Sequence, residues 1–230
     1  MRKQEYYLEL LIRCFDEEVS PASYFSLECM GELARSGSEE IRIWLARALV
    51  NHEVSEDVVT MLYYLSQDLD PLVRCEAVDS LSAFPCHSSF NALCEALQDD
   101  DEMVRAYAAF GLAFVGKTYD PTKALRILTD AVEQEKSKYV LVDIFAGMYM
   151  LGRKEMLVNV IEAFGNPDYH IKCSVLRSLE ETANGDDLPV IRRFIQGLDK
   201  ECLPPAVVGP LLEVEKRLQE IENGPDSSLS

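Results

Sequence analysis

The sequence predicts an all-α superhelix of about six helix pairs, because one pattern recurs along the chain. With Val73 as position 0, the same pattern begins at Ile41, Val104, Val140 and Ile171, and successive copies are 32, 31, 36 and 31 residues apart. In every copy positions 0, +4, +5 and +8 are apolar, which places them on one face of a helix. A fixed period of this size is typical of stacked helical units that cannot bury their apolar faces alone.

Position +7 of the repeat is always small. It is occupied by Ala48, Ser80, Gly111, Gly147 and Ser178. Glycine in a helix interior costs about 1 kcal/mol relative to alanine, so two glycines in one column indicate a packing requirement. We therefore expect a neighbouring helix backbone to come close at this position.

Start and stop signals divide the chain into elements. An amphipathic helix at residues 2–15 does not fit the repeat register, and we expect it to cap the first pair. Pro21 suits the first turn of a helix at 22–36, which ends near Gly37, and Ser38 is a suitable N-cap for its partner at 38–51. Later helices are predicted at 55–66, 88–98, 101–115, 121–135, 137–151, 153–164, 168–183 and 186–197. Another helix is predicted to begin at residue 71, and a longer connection is predicted at 117–120.

The C-terminal part departs from the pattern. A degraded copy begins at Leu203, where Pro204, Pro205, Gly209 and Pro210 predict a broken helix before a terminal one at 211–222. We expect a single domain over residues 1–222, with a cap at 1–20, regular repeats at 21–183, a degraded repeat and cap at 184–222, and a disordered tail at 223–230.

The repeated motif resembles HEAT repeats, especially the short bacterial kind. Their second helix opens with an acidic turn, followed by Val-Arg and then by Ala and Leu at helical spacing. Residues 69–84 and 100–116 carry the resemblance best. It implies antiparallel helix pairs stacked into a curved right-handed superhelix whose second helices line the concave side. It implies no single function, since the fold hosts scaffolds, adaptors and a few enzymes.

The composition limits the class of partner. The net charge is −18, from 40 acidic and 22 basic residues, which disfavours nucleic acid and favours a basic protein. Solubility alone is the other explanation of this charge. No apolar run is long enough for a membrane span. The seven cysteines are irregularly spaced without a CxxC pair, which is typical of reduced thiols in a cytoplasmic protein. The oligomeric state stays open, with a monomer favoured.

The sequence shows no recognisable chemistry. His52, His87 and His170 lie far apart, without the spacings of a zinc site, and no glycine-rich phosphate loop is present. We therefore expect no catalytic residues, no metal and no cofactor.

A basic residue at position +1 forms a column of Arg42, Arg74, Arg105 and Lys172. One interpretation is a ligand-binding row. The resemblance favours a structural ladder, in which each basic residue pairs with an acid of its own or a neighbouring turn, such as Asp70 or Asp101.

Positions +3, +6 and +10 vary strongly and lie on one stripe of each second helix, away from the core face. Aromatic side chains with a polar rim are typical of protein-binding surfaces. Trp44, Tyr107 and Phe114 have an alternative place in the core, against the neighbouring repeat. The candidate partner-binding residues are Trp44, Arg47, Glu76, Asp79, Tyr107, Phe110, Phe114 and Asp143.

These observations favour a non-enzymatic module that presents an acidic concave surface to a basic protein. A toxin-neutralising immunity protein is one such module by analogy of fold. The alternative is an enzyme or enzyme subunit of the same fold, similar to bilin lyases or to DNA glycosylases. The glycosylase alternative requires a basic groove, which the net charge of −18 disfavours.

Overall fold

The computed structural model describes residues 3–223, which form two layers of α-helices. The helices are α1 Lys3–Asp16, α2 Leu27–Ser36, α3 Glu39–Leu49, α4 Glu56–Leu65, α5 Pro71–Leu81, α6 His87–Ala96, α7 Glu102–Tyr119, α8 Pro121–Gln134, α9 Lys138–Met150, α10 Met156–Ala163, α11 Tyr169–Thr182, α12 Leu188–Gln196 and α13 Pro205–Asn223.

The odd-numbered helices pack on one another in order, from α1 on α3 to α11 on α13, and form the inner layer. The even-numbered helices α2 to α10 pack against these as an outer layer. This arrangement confirms the predicted all-α superhelix of six pairs with an N-terminal cap.

The small residues at position +7 lie where inner helices approach one another. Ser80 Oγ on α5 donates a hydrogen bond to the Ala46 carbonyl of α3 at 2.9 Å. A Cβ atom placed on Gly147 would lie 3.0 Å from Ala113 Cβ and 3.2 Å from the Ala109 carbonyl oxygen on α7. Side chains larger than these would force the inner helices apart.

Three arginines at position +1 join each pair to the next. Arg42, Arg74 and Arg105 each donate two hydrogen bonds, of 2.6–3.2 Å, to one carboxylate in the following pair. The accepting residues are Asp68, Asp99 and Glu135. A guanidinium suits this arrangement because its planar fork matches a carboxylate.

Two details differ from the expected ladder. Asp70 and Asp101 accept backbone N–H groups at the starts of α5 and α7, and they act as helix caps. Lys172 donates to the Phe164 carbonyl rather than to an acid.

Buried apolar side chains form two clusters that meet at α9. Val140, Ile144 and Met148 belong to the N-terminal cluster. Val142 and Ala146 belong to the C-terminal one. Since both clusters take residues from α9, this helix connects the two halves of the stack.

Two predicted boundaries in the N-terminal and central parts are wrong. The region before α2 is a short 3₁₀ helix at Pro21–Ser23, and α2 begins only after Ser26, whose side chain accepts the Cys29 N–H. The predicted connection at 117–120 is mostly the last turn of α7. The spacing of 36 residues between the copies at Val104 and Val140, against 31 or 32 elsewhere, therefore reflects a longer helix α7 and not a longer loop.

The predicted break at Pro210 is also wrong, because α13 continues through it. Proline lacks the N–H that would bond to the carbonyl four residues earlier, which belongs to Ala206. That carbonyl accepts a hydrogen bond from Cys173 Sγ of α11 at 3.5 Å. The neighbouring helix thus supplies a donor where proline removes one. Of the predicted tail, all but Asn223 lies outside the described residues.

Candidate binding groove

One face of the inner layer carries positions −1, +3, +6 and +10 of α3 to α11, most of them exposed or half-buried, although Asp143, Ala146 and Ser174 are buried. These positions share one side of each helix, because they follow at steps of three or four residues. We call this face the inner groove.

Arg177 of α11 contacts two other helices of the inner layer. Its guanidinium stands 5.0 Å from the centroid of the Tyr107 ring on α7. It also donates to Asp143 Oδ1 on α9 at 2.7 Å. Since α9 lies between α7 and α11 in the stack, the contact with Tyr107 shows that the inner layer is curved here.

Asp143, one of the predicted partner-binding residues, does not face the groove. Its side chain is completely buried. Ser174 and Ser178 direct their hydroxyls at it, at 3.2 and 3.5 Å. Burial raises the pKa of Asp143, and the Arg177 guanidinium opposes that rise. Its role in the structure is to fix α11 and Arg177 against α9.

The N-terminal end of the groove holds a second arginine on an aromatic ring. The Arg47 guanidinium lies 4.8 Å from the centroid of the Trp44 ring and forms an ion pair with Glu76 of α5. The other edge of Trp44 meets Phe15 of α1, at 6.0 Å between centroids. Trp44 is therefore half-buried by contacts within the chain, although part of it faces the groove.

The side chains of Asp79 on α5 and Glu181 on α11 form no ion pair and no hydrogen bond within residues 3–223, although the charge of Arg177 acts on both from a distance. Both are solvent-exposed by surface area, yet desolvation raises the pKa of each, and raises that of Glu181 to about 7. A carboxylate on the floor of a groove meets solvent on one side and is surrounded by protein on several others. Its side chain is therefore exposed, while its charged form is still desolvated.

The two carboxylates also act on each other. The charge of Asp79 contributes to the raised pKa of Glu181, although α7 and α9 separate their helices in the stack. Glu76 and Asp143 are neutralised by Arg47 and Arg177. Of these four carboxylates, those of Asp79 and Glu181 are therefore the ones left without an ion-pair partner.

The raised pKa of Glu181 gives a pH-dependent expectation. Its ordinary pKa is 4.5, so the folded protein holds this proton more tightly than the unfolded chain does. Between about pH 4.5 and 7, the contribution of Glu181 to stability therefore falls as the pH rises. We expect Glu181→Gln to melt at a higher temperature than the wild type at pH 8, with a smaller advantage at pH 5. Glu133→Gln in the outer layer is the control. If the melting temperature of Glu181→Gln exceeds that of the wild type by the same amount at pH 8 and pH 5, the desolvation of Glu181 is contradicted.

Aromatic side chains on α7 lie next to these acids. Phe110 and Phe114 pack together with their centroids 6.0 Å apart. Phe114 is 51% exposed, so it is not the core residue of the alternative interpretation. Phe110 is half-buried. Tyr107 is half-buried as well, and burial raises its pKa to about 12.

The groove continues toward the C-terminus as a pocket of about 420 Å³ between α9, α11 and α13. Its lining includes Tyr139 and His170 at position −1, Arg177 at +6 and Glu213 of α13.

Within residues 3–223, no group of three or more His, Cys, Asp or Glu side chains is placed to hold a metal ion. In the same part of the chain, no helix is both long and apolar enough to cross a membrane.

Sequence reasoning did not select Arg177, Glu181 or Tyr139 as site residues. Arg177 and Glu181 occupy positions +6 and +10, so the variable columns already contained them. Tyr139 occupies position −1, which the sequence analysis did not treat as part of the stripe. That position lies four residues before +3 and could have been found by extending the same helical step.

Comparison with known proteins agrees with the repeat pattern. The family model described as HEAT repeats matches residues 27–113 and, in an overlapping match, residues 58–148. Together these cover more than half of the chain. Among solved structures, the complex of CpcE and CpcF of phycocyanin lyase from Nostoc sp. PCC7120 is similar, with a TM-score of 0.46 and 14% identity over 84% of this chain and 95% of that one. No curated protein sequence matches significantly. On its repeat matches, the chain belongs to the HEAT-repeat family.

Proposed function

We propose that the protein is a non-enzymatic binding module whose inner groove takes a basic segment of a partner protein. The observation that carries the proposal is the pair of desolvated carboxylates without ion-pair partners, Asp79 and Glu181, in the groove. Desolvation disfavours the charged form of each carboxylate, and a cation of the partner would stabilise that form. The net charge of −18 would also steer a basic partner toward the protein.

The arginines of the groove support a protein partner over a nucleic acid. Arg47 and Arg177 are each already engaged by a carboxylate and an aromatic ring. A phosphate backbone would have to displace these contacts and would also meet Asp79 and Glu181. A toxin-neutralising immunity protein would be one instance of such a module, but no feature of the groove points to a toxin in particular.

The test compares charge variants in two places. Fluorescence anisotropy would measure the binding of a labelled Lys/Arg-rich peptide, its Glu-rich counterpart and a DNA duplex at low and high salt. We expect only the basic peptide to bind, with an affinity that falls as salt rises. We expect Asp79→Asn/Glu181→Gln to weaken binding about tenfold or more, which corresponds to about 1.4 kcal/mol.

The matched control is Asp130→Asn/Glu133→Gln, which removes the same two charges from exposed positions of α8 in the outer layer. We expect this control to bind nearly as well as the wild type, because only overall charge has changed. If both double variants lose the same affinity, binding depends on net charge alone. That result, or preferential binding of DNA, would contradict the proposal.

A further inference from the structure

An apolar row runs beside the acidic floor of the inner groove. It consists of position −1 on three consecutive inner helices: Leu72 of α5 is 49% exposed, Met103 of α7 is 41% exposed, and Tyr139 of α9 is half-buried. The α5–α7 and α7–α9 pairs are packed together, so the same repeat position recurs on adjacent helices. Exposed apolar side chains at one repeat position on three adjacent helices are typical of an interaction site.

Acidic residues lie one and two helical turns away from this row on α5. Glu76 and Asp79 occupy positions +3 and +6 there, so their axial distances from Leu72 are about 6 and 10 Å at 1.5 Å per residue. Glu76 is paired with Arg47, so Asp79 is the carboxylate beside the row that is left for a partner cation. A ligand that crosses α5, α7 and α9 at this row therefore meets apolar side chains on one side and Asp79 on the other.

We infer that the groove takes an amphipathic helix of a partner protein, with an apolar stripe beside a basic stripe. This inference rests on the proposed function and adds the form of the partner. An extended strand turns alternate side chains to opposite faces, so it offers only one row to the floor of a groove. A helix can present two adjoining stripes to the same surface.

The length of the apolar row determines how long the partner helix has to be. Neighbouring packed helices are about 8–10 Å apart, so three inner helices span about 16–20 Å. A helix of about 11–13 residues covers that length at 1.5 Å per residue. Its apolar stripe would lie on Leu72, Met103 and Tyr139, and its basic stripe beside Asp79, whose charge also acts on Glu181.

The experiment uses two labelled 14-residue peptides of identical composition, made of Leu, Ala, Lys and Arg. One places Leu and the basic residues in adjoining stripes at helical spacing, and the other is a scrambled sequence. We expect the striped peptide to bind the full chain about tenfold more tightly than the scrambled one in fluorescence anisotropy. We expect Leu72→Ser/Met103→Ser to remove most of that difference, because the lost apolar contact contributes on the scale of one side-chain burial.

The control for this pair is Val158→Ser on the outer helix α10, where the wild-type side chain is 53% exposed. It should leave binding of both peptides unchanged. Circular dichroism and melting temperature check that each variant is folded, and Leu72→Ala/Met103→Ala replaces the serine variant if that one is not.

The outcomes separate this inference from the proposed function. If both peptides bind equally, or if the variants at Leu72 and Met103 bind both peptides like the wild type, the inference is overturned. In that case a loss of binding in Asp79→Asn/Glu181→Gln would leave the proposed function standing. If neither peptide binds the wild type, both are overturned.

Discussion

Replacing Arg177 with methionine should lower the free energy of unfolding by about 3–5 kcal/mol, since it leaves the Asp143 carboxylate buried without a counterion. The loss should be smaller at pH 5 than at pH 8. Burial already raises the pKa of Asp143, and without Arg177 the group can escape the penalty only by taking up a proton. Urea denaturation at the two pH values measures both effects.

The control for this prediction is the double variant Arg177→Met with Asp143→Asn. Asparagine keeps the shape of the side chain and its contact with the hydroxyls of Ser174 and Ser178, but it carries no charge. We expect it to recover much of the lost stability, because breaking one partner of a buried pair costs more than removing both charges. A single-variant cost below about 1 kcal/mol, of the size measured for surface ion pairs, would contradict the central role of Arg177.

Gly147→Leu should destabilise the fold by about 1–3 kcal/mol or more through overpacking between α7 and α9. Even a Cβ at this position would lie 3.0 Å from Ala113 Cβ and 3.2 Å from the Ala109 carbonyl oxygen, and a backbone oxygen cannot move aside cheaply. Gly111→Leu should cost less, because its nearest neighbour is the flexible end of the Leu93 side chain, at 3.1 Å. Chemical denaturation of the two variants gives the comparison.

The control is a helical glycine whose added Cβ would meet only a flexible side chain. At Gly31 of α2 the nearest atom outside the local backbone is the end of the Arg35 side chain, at 3.3 Å, so Gly31→Ala should stabilise the protein by up to about 1 kcal/mol through helix propensity. Gly147→Ala changes propensity by the same amount but adds the close contact. If the two alanine variants have equal effects, position +7 does not mark a close helix approach.

The repeat columns predicted most of the fold because each is a local consequence of helix geometry. Positions 0, +4 and +8 identify the buried face, and position +7 identifies the close approach at Gly147. Both follow from residues a few positions apart in the sequence.

Two errors in the fold have different origins. Pro210 breaks a helix by local rules, yet α13 continues through it, with Cys173 of α11 donating to the carbonyl that Pro210 leaves without a bond. That compensation comes from a distant residue, so the local sequence does not show it. The start of α2 was a choice between two local signals, since Ser26 caps the Cys29 N–H and begins the helix, whereas Pro21 begins only the short 3₁₀ helix.

The candidate site was less predictable than the fold, because it depends on curvature. Small rotations between successive pairs decide whether Asp79 of α5 and Glu181 of α11 meet across the groove, and no single repeat encodes them. The burial of Asp143 has the same origin, since Arg177 comes from the next inner helix to cover it. The sequence defined the stripe as a set of columns, but it did not show that Asp143, Ala146 and Ser174 in those columns are buried.

A methyl NMR titration with the striped basic peptide tests the location of binding most directly. Met103 lies in the inner groove and Met156 at the start of the outer helix α10, so their methyl signals report on the two layers separately. We expect the Met103 signal to shift as the peptide is added while the Met156 signal stays in place. A shift of Met156 with an unchanged Met103 would place the binding surface outside the groove and contradict the proposed function.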